Sequence, residues 1–139
     1  MPFNETDSLV YEKKKIFIVK MRPNKIIKSN CQINGSSLEG RLDGTKFLTG
    51  YTYKAPILIK EDENIIFFPT SSIRLKDVAW ISLNNLKTCY FDSTTNICNI
   101  IFYNNVIINS KVSYNKINNQ ILKATRYESI LRKNKLIKA

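Results

Sequence analysis

The stretch LKTCYFDSTTNICNIIFYNNVIINS, residues 86–110, decides the fold class of this chain. Its apolar and β-branched runs at 86–91, 97–103 and 106–110 are each short, as strands are. Residues 92–96 and the pair Asn104-Asn105 separate these runs with residues that favour turns. The stretch therefore predicts three consecutive strands joined by tight turns, which is the pattern of an antiparallel sheet.

The same alternation of strand and turn extends toward the N-terminus. Further strands are predicted at 15–21, 26–33, 46–53, 56–60, 64–68 and 78–83. Turn residues at 22–24, 34–35, 43–44 and 61–64 divide them. The regular spacing predicts a β-rich body over 14–110, arranged as an antiparallel sandwich or an open barrel.

The C-terminal part of the chain changes its period. From Ser113, which is placed to cap a first turn, apolar residues recur at steps of three or four up to Leu131. This pattern predicts one amphipathic helix over 113–133, followed by a basic tail at 134–139, while residues 1–12 are expected to form a flexible arm. The length of 139 residues suits a single domain over 1–139, of class α+β but mainly β.

The charge is strongly unbalanced. Lys and Arg number 22 against 11 Asp and Glu, which gives a net charge of +11. The excess is clustered, because residues 13–28 contain seven basic residues and no acid, and residues 111–139 contain eight against Glu128 alone. Clustering favours a polyanion such as nucleic acid as the partner, although a solvated basic surface remains the alternative.

Several chemistries are not supported by the residues present. The chain has no histidine, so Ser-His, Cys-His and His-metal sites are not available, and we expect neither an enzyme nor a metal or cofactor. The three cysteines, Cys31, Cys89 and Cys98, show no paired spacing and are expected to be buried or reduced thiols. The first twenty residues resemble neither a signal peptide nor a membrane span, which predicts a cytoplasmic protein without membrane contact.

Five blocks in this order and spacing resemble the competence transcription factor (ComK) family. They are NGSSLEGRLDGT (34–45), KAPILI (54–59), IIFFPTSSIRL (65–75), AWISL (79–83) and SYNKINNQILKAT (113–125). The resemblance covers about residues 15–133. It implies a transcription activator that binds A·T-rich double-stranded promoter DNA mainly through the minor groove, acts as a dimer or a dimer of dimers, and is controlled by a proteolytic adaptor.

The DNA contacts predicted with this resemblance fall into three groups. Arg41 and Arg74 are expected in the minor groove, because arginine is attracted to the narrow, electronegative groove of A·T-rich DNA. Hydroxyl groups are expected to contact phosphates, and the amides of Asn115 and Gln120 to contact base edges, although capping or packing of the helix is the favoured role for Asn115. The second and third groups, the polar and the cationic contacts, are Ser36, Ser37, Thr45, Ser72, Asn115 and Gln120, then Lys54, Lys123 and Arg126.

Two other functions stay open from the sequence. The basic faces could dock an acidic protein, or Tyr51, Tyr53, Phe102 and Tyr103 could form a single-stranded RNA surface, although packing within the sheet is the favoured role for these aromatics. Family members that activate transcription continue beyond the predicted helix, whereas this sequence ends at Ala139. This difference leads to the hypothesis of a short member that associates with a full-length paralogue without activating transcription.

Overall fold

The computed structural model describes residues 1–12 and 15–138, with side chains up to Asn134. A two-stranded ribbon comes first, followed by two helices, two three-stranded sheets and a long C-terminal helix. In chain order the elements are β1 (Ser8–Glu12), β2 (Lys15–Val19), α1 (Pro23–Ile33), α2 (Leu38–Thr49), β3 (Ile57–Lys60), β4 (Ile65–Pro69), β5 (Trp80–Ser82), β6 (Leu86–Asp92), β7 (Ile97–Phe102), β8 (Ile107–Ser110) and α3 (Tyr114–Lys138).

The sheet β3-β4-β5 is antiparallel and lies between helices. Since neighbouring residues of a strand point to opposite faces, β3 contributes to two hydrophobic clusters. Leu58 packs in the cluster that also contains Ile117 of α3, whereas Ile57 packs with Ile27 and Cys31 of α1. Burial on both faces explains why 56–59 is a continuous apolar run rather than an alternating one.

The second antiparallel sheet, β6-β7-β8, completes the larger cluster. Leu86, Cys98 and Ile100 bury their side chains there beside Ala124 and Tyr127 of α3. The apolar stripe predicted for the C-terminal helix is thus the surface that holds α3 against both sheets.

The predicted fold class is confirmed: the structure is mainly β, its sheets are antiparallel, and it ends in a helix. The described strands form three separate sheets that do not close into a barrel. The predicted helix at 113–133 is observed at Tyr114–Lys138, so it includes most of the expected tail at 134–139; Ala139 lies outside the described residues.

Three local predictions are wrong. The strand predicted at 26–33 lies within α1, and the one predicted at 46–53 is divided between the end of α2 and the loop that follows it. The body over 14–110 is therefore helical over Pro23–Ile33 and Leu38–Thr49. Pro23 at the start of α1 has the fixed φ that favours a first helical turn, and Gly50 ends α2 in the left-handed conformation at φ 80°. Residues 8–12 pair with β2 instead of forming a loose arm.

The cysteines have no disulfide partner. Cys31 and Cys98 are buried and Cys89 is half-buried. Burial, with the neighbouring Cys89 adding to it, raises the pKa of the Cys98 thiol to about 11, and burial also raises the pKa of Cys89 and Cys31. These thiols are protonated at neutral pH, in agreement with the predicted buried thiols. Among the described residues, no helix has the length and apolar character needed to cross a membrane.

Candidate nucleic-acid interface

A groove of about 350 Å³ lies between α3 and the loop that connects α2 to β3, and we call it the cationic groove. Its lining contains no carboxylate: it consists of Tyr51, Tyr53, Lys54, Lys116, Asn119, Gln120 and Lys123. Arg126 joins it at one end through Tyr51, which both Lys123 and Arg126 contact. Cations gathered on one face without acids produce the positive potential that attracts a phosphate backbone.

Backbone carbonyls and aromatic rings hold these cations in place. Lys123 Nζ donates to the carbonyl oxygen of Tyr53 at 3.1 Å, and an Arg126 guanidinium nitrogen donates to that of Thr49 at 3.3 Å. The charged ends of Lys123 and Arg126 lie 5.5 and 5.4 Å from the centre of the Tyr51 ring. None of these partners carries a negative charge, so the positive charge of the groove is not neutralised.

Gln120 fixes the shape of the groove from beneath. Its side chain is only 2% exposed, and its Nε2 donates at 2.8 Å to the carbonyl oxygens of both Lys54 and Pro69. The first bond holds Lys54, which adopts a positive φ of 50°, against α3. The second bond holds the end of β4 beside it. One buried amide therefore joins the groove to the loop that follows β4.

That loop, residues 71–78, is closed at its base. Thr70 N donates to Ala79 O at 2.8 Å, and Ala79 N donates to the Thr70 hydroxyl at 3.1 Å. A bond of 2.7 Å from Asn24 Nδ2 to Ile73 O attaches the loop to the first turn of α1. Arg74 is exposed beyond this attachment, and its amide donates to the Ser72 hydroxyl at 3.4 Å. The loop thus presents an arginine on a constrained backbone.

The first block of the resemblance, residues 34–45, contains several of the predicted DNA contacts, and its polar side chains bond within the protein. Ser37 caps α2, since its hydroxyl accepts a bond from Gly40 N at 2.9 Å. Arg41 forms an ion pair of 3.0 Å with Glu61, and its side chain is only 11% exposed. Arg41 lines a surface depression together with Lys60, Glu61 and Asp62, so positive and negative charges are mixed in this depression. These contacts engage Arg41 within the protein.

The structure brings together Lys54, Lys123 and Arg126 of the predicted contacts. Gln120, which was predicted to reach base edges, is buried beneath them and donates its amide to two backbone carbonyls. Thr45 is instead fully buried, with its hydroxyl donating to Pro56 O at 2.6 Å, so its side chain is not presented on the surface. The remaining members lie away from the groove lining: Ser36 and Ser37 next to Arg41, Ser72 and Arg74 in the loop 71–78, and the exposed Asn115 in the first turn of α3.

Four residues of the groove lining were not among the predicted DNA contacts: Tyr51, Tyr53, Lys116 and Asn119. Tyr51 and Tyr53 were expected to pack in the sheet, but they lie in the loop before β3, and Tyr53 is 60% exposed. Lys116 was missed although its spacing indicates it, because Lys116, Gln120 and Lys123 recur at steps of four and three residues. Such spacing places side chains on one face of a helix.

Comparison with known proteins gives the family. The ComK protein family matches residues 2–135. The competence transcription factor of Bacillus subtilis (strain 168) is 33% identical over 117 residues, which cover 82% of this chain and 59% of that protein. The chain therefore spans somewhat more than half the length of this curated relative. Among solved structures, none matches this chain. The family match over residues 2–135, nearly the whole chain, shows that the chain belongs to the ComK family.

Proposed function

We propose that this protein is a competence-type transcription regulator that binds A·T-rich double-stranded DNA. The observation that carries the proposal is the cationic groove, in which Lys54, Lys116, Lys123 and Arg126 converge without a lining carboxylate. Membership of the ComK family supports it, since the Bacillus subtilis relative is a transcription factor. The groove accounts for affinity through phosphates, and a second element is required for base preference.

Arg74 is our candidate for the minor groove. The loop 71–78 projects an exposed arginine, and its base is connected to the groove through Gln120, which bonds both Lys54 O and Pro69 O. In this proposal the phosphates of one duplex contact the cationic groove while the loop enters the neighbouring minor groove. Arginine is favoured there because A·T-rich segments are narrow and electronegative.

Arg41, in contrast, has a role within the protein in this proposal. Its contact with Glu61 and its low exposure mean that binding DNA would first require the ion pair to break. Ser37 likewise engages its hydroxyl in capping α2. The first block of the resemblance, residues 34–45, then shapes the scaffold and does not contact DNA.

The test of affinity is a mobility-shift titration over several salt concentrations. Lys116→Ala/Lys123→Ala removes two groove cations, and Lys87→Ala/Lys111→Ala removes two exposed lysines outside it. The groove variant should bind at least about tenfold more weakly, and the slope of log affinity against log salt should become shallower by roughly 0.9 per lost phosphate contact. Equal effects of the two variants would contradict the assignment of the groove.

The test of sequence preference uses A·T-rich and G·C-rich duplexes of equal length, so that phosphate charge is matched. Arg74→Ala should reduce the ratio of the two affinities, whereas Arg41→Ala should leave that ratio near the wild-type value. Loss of preference with Arg41→Ala alone would instead place Arg41 in the minor groove. Failure of the wild-type protein to retain either duplex above low salt would refute DNA binding and favour an acidic protein partner.

A further inference from the structure

The side chain of Asn24, in the first turn of α1, bonds two segments that are distant from it in the sequence. Its Oδ1 accepts a bond of 2.8 Å from the Trp80 indole nitrogen, 56 residues away, and its Nδ2 donates at 2.7 Å to Ile73 O, 49 residues away. Asparagine near the start of a helix commonly bonds the local backbone. Here the two ends of the amide join α1 to β5 and to the loop 71–78.

Trp80 sets the orientation of the Asn24 amide. Trp80 begins strand β5, and its ring packs against the hydrophobic cluster that contains Ile27 and Ile57, so the position of its N–H is fixed by the fold. An indole N–H only donates, so it meets the oxygen of the amide and not the nitrogen. The amide nitrogen is therefore directed to the Ile73 carbonyl.

The bond to Ile73 O lies directly before the exposed part of the loop. Residues 74–77 are exposed, whereas Ile73 is half-buried and Val78 is only 2% exposed, so the exposed residues lie between two attached positions. The carbonyl of Ile73 belongs to the planar peptide group that continues into Arg74. Holding this carbonyl therefore fixes the direction in which the backbone of Arg74 leaves the protein.

We propose that Asn24 is a positioning residue for Arg74, and that its bridge between Trp80 and Ile73 determines how strongly the protein prefers A·T-rich over G·C-rich DNA. The inference rests on the proposed function, in which Arg74 enters the minor groove. A loop held in its binding conformation loses little conformational freedom when it binds, whereas a loop without its attachment has to be ordered at that moment. Loss of the bridge should therefore weaken the contact that Arg74 makes.

Sequence preference and overall affinity depend on different parts of the protein in this arrangement. Asn24 does not belong to the lining of the cationic groove, and its side chain carries no charge. A change at Asn24 leaves the cations Lys116 and Lys123 in place, so the salt dependence that their proposed phosphate contacts give should remain. The approach of Arg74 to a narrow A·T-rich groove should be impaired, which lowers the ratio of the two affinities.

The first test measures the affinities for A·T-rich and G·C-rich duplexes of equal length by mobility shift. Asn24→Ala keeps a good helix former in α1 and should lower the ratio of the two affinities by about three- to tenfold, the range expected for one hydrogen bond. Partial unfolding would reduce the active protein for both duplexes alike, so a merely structural role would leave this ratio unchanged. Asn30→Ala is the matched control, because Asn30 is exposed on the same helix and its amide bonds Ile26 O within that helix. A wild-type ratio for Asn24→Ala, or equal losses in the two variants, would overturn the inference.

The second test asks whether Trp80 acts through Asn24. Trp80→Phe keeps an aromatic ring in the cluster but removes the N–H that orients the amide, so it should lower the same ratio. Because both changes break one bridge, the double variant should lose no more than the larger single loss, and losses that add would refute the bridge.

The two proposals fail in different ways. A wild-type protein that prefers A·T-rich DNA, loses this preference with Arg74→Ala and keeps it with Asn24→Ala would refute the role of Asn24 alone. A wild-type protein that binds both duplexes equally would refute the proposed A·T preference and the role of Asn24 with it.

Discussion

At the scale of single residues, the geometry of the cationic groove depends on Gln120. Its amide donates to two backbone carbonyls at 2.8 Å from a position only 2% exposed. Gln120→Leu fills similar space but leaves the Lys54 and Pro69 carbonyls without this donor, and each unsatisfied buried group costs about 1–3 kcal/mol. We expect the free energy of unfolding, measured by denaturant titration, to fall by roughly 2–4 kcal/mol.

The same variant should weaken DNA binding although no charge is removed, because the Lys54 carbonyl is no longer held against α3. The salt dependence of binding should keep its wild-type slope, since the number of phosphate contacts is unchanged. Asn119→Leu is the control, because Asn119 is an exposed neighbour on the same groove. Equal stability of the two variants would show that the buried amide contributes little.

Whether the role of a residue could be predicted depends on how far along the chain its contact partners lie. Lys123 and Arg126 were predicted as cationic contacts within the C-terminal helix, and their spacing of three residues is sufficient to indicate one helix face. The role of Arg41 depends on Glu61, twenty residues later, and that of Gln120 on carbonyls 66 and 51 residues away. Such long-range partners cannot be deduced from one sequence, so a polar residue that packs inside the protein resembles one that binds a ligand.

At the scale of elements, strands with alternating or β-branched runs and the long C-terminal helix were predictable, whereas α1 and α2 were not. The run Ile26-Ile27 favours a strand locally, but Ile27 and Cys31 are buried four residues apart, which is a helical spacing. Pro23, Ser37 and Gly50 lie at the helix boundaries, but Pro, Ser and Gly are equally common in turns between strands, so they do not distinguish the two. Packing of α1 against β3 favours the helix over the strand for residues 26–33, and this packing is a tertiary effect.

The cap of α2 gives a prediction that also separates two roles for one residue. Ser37→Ala removes the hydroxyl that accepts from Gly40 N, which should lower the free energy of unfolding by about 1 kcal/mol. DNA affinity of the folded variant should stay near that of the wild type if Ser37 is a cap rather than a phosphate ligand. Ser36→Ala is the matched change one residue away, and a thermal denaturation series compares them. A large loss of DNA affinity without a loss of stability would restore Ser37 as a contact.

At the scale of the whole molecule, the excess of positive charge opposes folding while it favours binding. The net charge is +11, and the three ion pairs among the described residues are all partly exposed, with side-chain exposures of 73% at Glu61, 57% at Glu63 and 67% at Arg132. Exposed pairs contribute at most about 1 kcal/mol each. Repulsion among the remaining cations therefore dominates the electrostatic free energy of the free protein.

Added sodium chloride should therefore raise the stability of the free protein and lower its affinity for DNA. Screening weakens the repulsion among cations, so the denaturation midpoint of the free protein should rise between low and moderate salt. DNA affinity should fall over the same range, because the counterions displaced from phosphates must be released into a more concentrated solution. Lys87→Gln/Lys111→Gln lowers the repulsion outside the groove, so it should raise the midpoint at low salt and reduce its dependence on salt. A midpoint that falls with salt in the wild-type protein would show instead that the ion pairs outweigh the repulsion, and the lysine variant would then gain no stability.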